Sequence, residues 1–408
     1  MVDATVPFDR KEMAQPGMPL QAFAQSPARR TVSVGNAGVL AEYADFCSTA
    51  LSAPAQGAQW VRHWIAEAGP DAILATLSLD GTPVLALALE VVRSGPFRIA
   101  RFMGGRHANG NFPAADRTWL MSAVVDDIQS LVAGIAKARP DIDLVALERL
   151  LPELDGLPNP LACLPNFPSP NLSLAADLGG GFDDFLGRVS GRRKRKKHRS
   201  QIRKFEAVGA YRRIEARTPQ EAHAMLEAFF AMKAARFSTM GIADVFGDPA
   251  VRSFFHALFS DALKEEPPLF VLHGLEVAGK LRAVTGSSVS AKRLICEFGA
   301  IAEDDLAHAS PGDFLFFENI QEACDKGFEI YDFSVGDEPY KRLWCDTEVR
   351  HFEVLAPLAP KGRMLALGLR QTVRLKAFVK NSPTIWRLTK LLRRKAAGRA
   401  GTSADGNG

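Results

Sequence analysis

The segment YDFSVGDEPYKRLW, residues 331–344, holds the densest set of groups in this chain that could carry chemistry. Strand alternation places Phe328, Ile330, Asp332 and Ser334 on one face and Tyr331, Phe333 and Val335 on the other. Asp332 thus shares a face with apolar neighbours, where an unpaired carboxylate is costly and its pKa rises. It is either paired, with an arginine or with the next helix, or working as a base or an anchor for an amine. Glu297, in the run CEFGA, is a second carboxylate of the same kind. Past Gly336, Asp337 reads as the cap of a helix whose first turn holds Glu338 and Pro339. That reading gives Tyr340 and Lys341 no structural reason. Lys341 suits a phosphate or an acceptor carboxylate, and Asp337, Glu338 and Trp344 lie beside it as substrate-side candidates, Trp344 also suiting plain packing.

A repeat must position these groups. In the first half, DAILATLSLDGTPVLALALEVV reads as two strands around a turn at Asp80 and Gly81, and FRIARFMGG as a third. A loop with Pro113 leads to the helical stretch RTWLMSAVVDDIQSLVAGIAKA and the strand DIDLVALERL. The second half repeats this order, with PPLFVLHGLEVAGKLRAVTGSSVS, RLICEFGA, SPGDFLFFENIQEACDKG and FEIYDFSVG. The turn glycines Gly81 and Gly279 lie 198 residues apart, as do Pro113 and Pro311, read as the prolines that open the helices. Each half is therefore an α+β unit, antiparallel strands followed by a helix crossing to one more strand of a mixed sheet. The expected organisation is a disordered segment over 1–36, a first unit over 37–178, a second over 179–358 and a basic amphipathic tail over 359–408 with a disordered end. A helix capped by Thr218 and Glu221 precedes the strands of the second unit.

At 408 residues, 47% hydrophobic and 24% charged, the chain suits two or three domains. It shows no apolar run long enough to span a membrane and no export signal, so a cytoplasmic location is expected. Five scattered cysteines without C-x-x-C spacing and eight histidines without H-x-x-x-H spacing argue against a disulfide framework or a metal site. The net charge of +4 conceals segregation. Ten Lys or Arg and no acid lie between Arg188 and Lys204, and twelve and no acid between Lys361 and Arg399, which leaves an acidic body. The first run has no interleaved aromatic until Phe205, which disfavours nucleic acid as its partner. In the tail, Leu365, Leu369, Leu375 and Val379 oppose Arg363, Arg370 and Arg374, and Ile385, Leu388 and Leu392 follow Pro383. Such helices suit the inner face of an anionic bilayer, as a peripheral contact, or the protein's own acidic body.

Together the tandem units, the basic helix leading into the second, Ser310, Pro311 and Gly312 at the start of its main helix, and Gly336, Asp337, Glu338, Tyr340, Lys341 and Trp344 at its close resemble the CelD/BcsL group of the GNAT acyltransferase superfamily, over residues 40–355. The resemblance implies transfer of an acetyl or other acyl group from acyl-CoA to an amine or hydroxyl of a small-molecule or glycan acceptor. It also implies a link to cellulose and envelope polysaccharide biosynthesis and a relation to FemAB-type aminoacyl transferases. An alkylamine with a pKa of about 10.4 costs about 4.6 kcal/mol to deprotonate at pH 7 unless a base or the site takes the proton. In such folds the thioester lies where the fourth and fifth strands part, here 293–300 and 328–335, with backbone N–H groups at its oxygen. A tyrosine after the fifth strand returns a proton to the thiolate, so Asp332, Glu297 and Tyr340 are the catalytic candidates. Pyrophosphate would sit at the start of the main helix, which makes Ser310 and Gly312, with Arg192 and Arg193 of the basic run, the donor-side candidates. The family's Gln/Arg-x-x-Gly-x-Gly/Ala loop is absent, and Glu303, Asp304, Asp305 and Asp313 stand near the would-be phosphates. Two other readings stay open: a FemAB-like transferase fed by aminoacyl-tRNA, with the basic run on the RNA, and a non-catalytic pseudo-acyltransferase acting as an assembly or membrane-recruited partner.

Overall fold

Both halves of the chain build one thirteen-stranded sheet in the computed structural model, which describes residues 29–381. In chain order its main strands are β1 (Arg30–Gly35), β2 (Asp71–Leu79), β3 (Thr82–Ser94), β4 (Phe97–Phe102), β5 (Leu144–Leu150), β6 (Asn166–Asp177), β7 (Tyr211–Glu215), β8 (Phe270–Val277), β9 (Lys280–Ser290), β10 (Arg293–Ile301), β11 (Ile330–Val335) and β12 (Thr347–Pro357). They lie side by side as β1-β2-β3-β4-β5-β12-β6-β11-β10-β9-β8-β7, and the two-residue strand Ala114–Ala115 pairs with β3 off this path. The order is a mirrored repeat with an exchange at its centre. β6 follows the first five strands in sequence but pairs with β11 of the second half, while β12 returns to pair with β5 of the first. The exchanged strands pair antiparallel with each other from Thr347↔Ala175 to Val354↔Asn166. Halves of the chain cut at 178/179 therefore do not coincide with halves of the sheet.

The main helices are α1 (Ala58–Ala68), α2 (Val125–Ala138), α3 (Gly191–Glu206), α4 (Pro219–Met240), α5 (Pro249–Ala262), α6 (Pro311–Asp325) and α7 (Pro360–Asn381). A helix between two strands lets them run parallel, and this happens once per half, at β4–β5 across α2 and at β10–β11 across α6. Both parallel pairs are short. β4 meets β5 only at Ile99↔Leu144 and Ala100↔Val145, and β10 meets β11 only from Arg293↔Ile330 to Ile295↔Asp332. Beyond these pairs each fifth strand turns away, and each carries a non-glycine residue at positive φ near its end, Arg149 at 57° and Ser334 at 59°. The two-residue turns that join β2 to β3 and β8 to β9 hold Asp80 and Gly81, and Ala278 and Gly279, all at positive φ, the backbone that a tight hairpin of this twist needs.

The halves are also clamped by aromatic packing. α1 lies on α5, where Trp60 and Trp64 meet Phe254 edge-on at 4.8 and 5.0 Å. The cluster continues through Phe255 and Phe259 to Phe298 on β10. Opposite Phe298, Gly286 of β9 leaves no room for a side chain, since a Cβ there would come within 2.1 Å of the ring.

Several expectations need correction. Residues 30–35, within the segment expected to be disordered, form β1 because Val32 and Val34 can pack against the core of the first half while the backbone pairs with β2. Pro113 does not open a helix, for α2 begins only at Val125, after a short helix at Arg117–Leu120, whereas Pro311 is the first residue of α6. The 198-residue spacing thus marks equivalent turns but not equivalent helix starts. No helix follows Gly336; the chain makes a single 3-10 turn at Lys341–Leu343. On α7, Leu365 and Leu369 pack on Leu144 and Leu355, and Lys361 pairs with Asp143 at 3.1 Å, so this face is used by the protein's own body. The side chains of Arg374, Leu375 and Val379, and all of Ile385, Leu388 and Leu392, lie outside the described residues. No described helix is long and apolar enough to cross a membrane.

Gly286→Ala should cost about 1–3 kcal/mol in urea unfolding by forcing the Phe298 ring aside, the usual range for overpacking, and Phe298→Leu in the same chain should restore part of it.

Candidate active site

The parting of β10 from β11 opens the second half at Ile295, and Glu297 stands two residues beyond the last pair. Its carboxylate is held from both halves. Ser288 Oγ on β9 donates to Oε1 at 2.6 Å, and Asn109 Nδ2, from the loop after β4 in the first half, approaches Oε2 at 3.4 Å. Burial pushes the Glu297 pKa up to about 7; the two donors and Arg149 pull it down, and the Asp332 carboxylate adds to the rise. A carboxyl group at this value is part ionised near neutral pH and can take a proton.

Asp332 is the paired carboxylate of the two alternatives. It is 4% exposed. Arg293 Nη1 donates to Oδ2 at 2.8 Å, and Oδ1 accepts from the Ser334 backbone N–H at 2.7 Å and from Ser173 Oγ on β6 at 3.3 Å. These bonds hold the bulge that carries Ser334 at positive φ. Beside the pair, His351 on β12 is 2% exposed, and neither ring nitrogen has a hydrogen-bond partner. Burial pushes its pKa down to about 4, with Arg149 and Arg293 adding to the fall and Asp332 opposing it, so the ring is neutral.

The residues after β11 are placed differently from the sequence expectation. Lys341 is 5% exposed and commits its ammonium to the carbonyls of Ser334 (3.3 Å) and Val335 (3.0 Å) and to Glu338 (3.1 Å). It fixes the end of β11 and is not open to a phosphate. Asp337 caps no helix; its Oδ1 accepts from Arg342 Nε at 2.6 Å. Trp344 is buried against Phe317, with its indole N–H on Asp313 (3.1 Å) and Lys194 Nζ 3.4 Å from its ring centroid. Tyr340, like Asp337 and Glu338, lies at the surface. It is 45% exposed and stacks on Phe316 at 5.7 Å. Its surroundings, chiefly desolvation and then Cys296 and Glu338, push the phenol pKa up, so it keeps its proton.

At the start of α6, Ser310 adopts a left-handed backbone and its hydroxyl caps nothing. Gly312 lies so close to β10 that a Cβ would meet Ile301 at 2.7 Å. The helix α3 is pinned alongside by Gln201, which donates to the carbonyls of Ala309 and Ser310, and by His198, stacked on Phe314 and Phe317 and bonded to Glu318. Arg192 and Arg193 are exposed on its first turn. Of the four acids that crowd this end, all but the exposed Glu303 are paired. Lys280 and Arg282 pair with Asp304, Arg282 also with Asp305, and Lys197 with Asp313 at 3.0 Å. Burial pushes the Lys194 pKa down to about 8 against the pull of Asp313. The end of α6 is thus basic on balance and suits an anion.

Glu215, His273 and Glu322 form the one three-ligand cluster among the described residues. Arg213 pairs with Glu322, and Lys326 with both glutamates, which already balances their charge.

Sequence reasoning missed Ser288, Asn109, Arg149, Arg293 and His351. The run GSSVS offered a signal for Ser288, since hydroxyls in a buried strand want partners. The others reach the site only through pairing across the sheet.

Glu297 also links stability to pH. Its folded pKa of about 7 lies above the ordinary 4.5, so between those values the folded protein keeps a proton that the unfolded chain releases, and stability falls as pH rises through that window. Glu297→Gln should therefore be more stable than the wild type at pH 8, with the gain vanishing towards pH 4.5, as read by urea unfolding across pH.

Residues 192–342 match the family model described as an acetyltransferase (GNAT) domain. Among solved structures, that of FemX superposes with a TM-score of 0.55 at 10% identity, covering 78% of this chain and 96% of that one. A tandem GNAT protein from the clavulanic acid biosynthesis pathway superposes with a TM-score of 0.43 at 12% identity, covering 81% and 99%. No curated protein sequence matches. The match to a GNAT acetyltransferase domain falls on the half that holds Glu297, and it supports an enzyme of the acyltransferase class.

Proposed function

We propose that the protein moves an acyl group, acetyl in the simplest case, from acyl-CoA to an amine or hydroxyl acceptor, with Glu297 as general base. The observation that carries this reading is a carboxyl group with a pKa of about 7, set where the fourth and fifth strands of the second unit part and faced by residues of the first unit. The acceptor enters between the units. Its nitrogen or oxygen attacks the thioester carbonyl while Glu297 takes the proton, and backbone N–H groups freed beyond Ile295 steady the oxyanion. Tyr340, protonated and exposed beside the same cleft, returns a proton to the departing thiolate. Asp332 moves from candidate base to positioning residue, fixing Arg293 and the bulge at Ser334. The donor's pyrophosphate lies at the start of α6 by Gly312, with Arg192 and Arg193 as its cations. The similarity of residues 336–344 to the CelD/BcsL group supports an acceptor from polysaccharide or cell-envelope synthesis.

Calorimetry with acetyl-CoA and longer acyl-CoAs is the first test, and absence of saturable binding to any of them would sink the proposal. Given binding, Glu297→Gln should lower kcat by about 10²–10⁴, the usual worth of a general base, and kcat/KM of the wild type should rise with pH to a plateau above about 7. Tyr340→Phe should give a smaller fall. The fold likeness to FemX favours a second reading, an aminoacyl-tRNA donor held by α3. Transfer from charged tRNA with no binding of acyl-CoA would replace the first reading by the second.

A further inference from the structure

Arg149 stands one residue before the end of β5 in the first unit, and its guanidinium is joined to Glu297 through Asn109. All of its hydrogen bonds fall on one nitrogen. Nη1 donates to the carbonyls of Arg106 (2.7 Å) and Ala108 (3.5 Å) and to Asn109 Oδ1 (2.6 Å), the same Asn109 whose amide approaches Glu297. These acceptors are neutral. Among the described residues no carboxylate comes within ion-pair distance; Glu148, Glu353 and Glu297 act on the charge only from further away, and Glu353 accepts from Ser169 Oγ at 2.9 Å. By contrast, Arg293 is committed to Asp332, and Lys341 to Glu338 and two carbonyls.

A partly buried guanidinium without a counter-ion is costly to desolvate, and the cost is recovered when an anion arrives. The edge left open is informative. With Nη1 anchored, Nε and Nη2 remain together on one side, the pair of donors that meets a carboxylate or phosphate side-on through two parallel bonds. Arg149 sits at φ 57°, a backbone that a bulky side chain adopts at a cost, and the strain is maintained by the Arg149 carbonyl accepting from the Asn111 N–H at 2.8 Å. Next to it, the neutral imidazole of His351 lies among Arg149, Arg293 and Asp332 with both nitrogens unpartnered. The first unit therefore presents a pre-set cation, and a buried polar ring without a partner lies within the reach of its charge.

We infer that Arg149 is the anion-binding residue of the acceptor site, so that the acceptor class is an amine or hydroxyl compound that also carries a carboxylate or a phosphate, the first unit reading the anion while Glu297 serves the nucleophile. This rests on the acyltransferase reading for the word acceptor, but the anion site itself does not.

The test uses the full native chain. Phenylglyoxal modification of Arg149 is followed by peptide mass spectrometry in chloride, and in phosphate or acetate at the same ionic strength, with Arg212, already paired with Glu276 on the surface, as the control in the same digest. Saturating phosphate or acetate should slow modification at Arg149 by about fivefold or more and leave Arg212 unchanged, and whichever anion protects identifies the acceptor's group. Failure of Arg149 to react in chloride, no protection by either anion, or equal protection at Arg212 would overturn the inference. A further arm adds CoA, whose own phosphates belong at α6; protection of Arg149 by CoA would assign it to the donor and overturn the acceptor role. Acetyl-CoA calorimetry runs separately. Anion protection without acetyl-CoA binding removes the acyltransferase reading and keeps the anion site, whereas the reverse result removes the anion site alone.

Discussion

The antiparallel pairing of β6 with β12 is the contact on which the molecule turns. Each strand completes the sheet of the half it does not follow in sequence, so one ladder of backbone hydrogen bonds joins the two units as firmly as any strand pair within them. Ser173 on β6 reaches Asp332, and the buried ring of His351 on β12 feels the charges of Asp332, Arg149 and Arg293. Without this seam the cleft would have two walls and no common floor. The aromatic contact of α1 with α5 adds a second clamp on the same pair of units, so the spacing between Asn109 and Glu297 is set from both sides.

Environment separates two carboxylates that look alike as letters. Asp332 and Glu297 both stand on apolar strands, and both invite a catalytic reading. Three donors, one of them a guanidinium, hold Asp332 as a structural anion. Glu297 has a hydroxyl and a long amide contact, too little to offset its burial. A difference of one arginine is enough to divide the roles, because a charge-assisted bond in a dry setting outweighs neutral ones. The same distinction separates Lys341, which pairs with Glu338 as well as with two carbonyls, from Arg149, which bonds only to neutral acceptors.

What could be read in the sequence was local. The two hairpins declare themselves through Asp80–Gly81 and Gly279, and the strand before Gly336 through its alternation. Thr218 and Glu221 form the expected reciprocal cap. The exchange of β6 and β12 left no local mark, since a strand's partner is fixed by register across the whole sheet and not by its own letters. For the same reason nothing in the letters sets Asn109 and Arg149 apart, and Lys341 reads as available. Carbonyl groups bind an ammonium without any signature in side-chain type, so its burial was invisible until the bulge at Ser334 was placed.

The exchanged strands also order events during synthesis. The sheet of the first unit lacks its sixth member until residues 347–357 have been made, long after β5 ends at Leu150. Until then β5 offers an open edge, and edges of that kind pair with whatever strand is near. β6, by contrast, is made early and must wait for β11. Folding here cannot finish one unit and then the next, as chains of separate domains do. The second unit has its six strands once β11 is made, whereas the first closes only when the last strand slides between β5 and β6, and that step also joins the two.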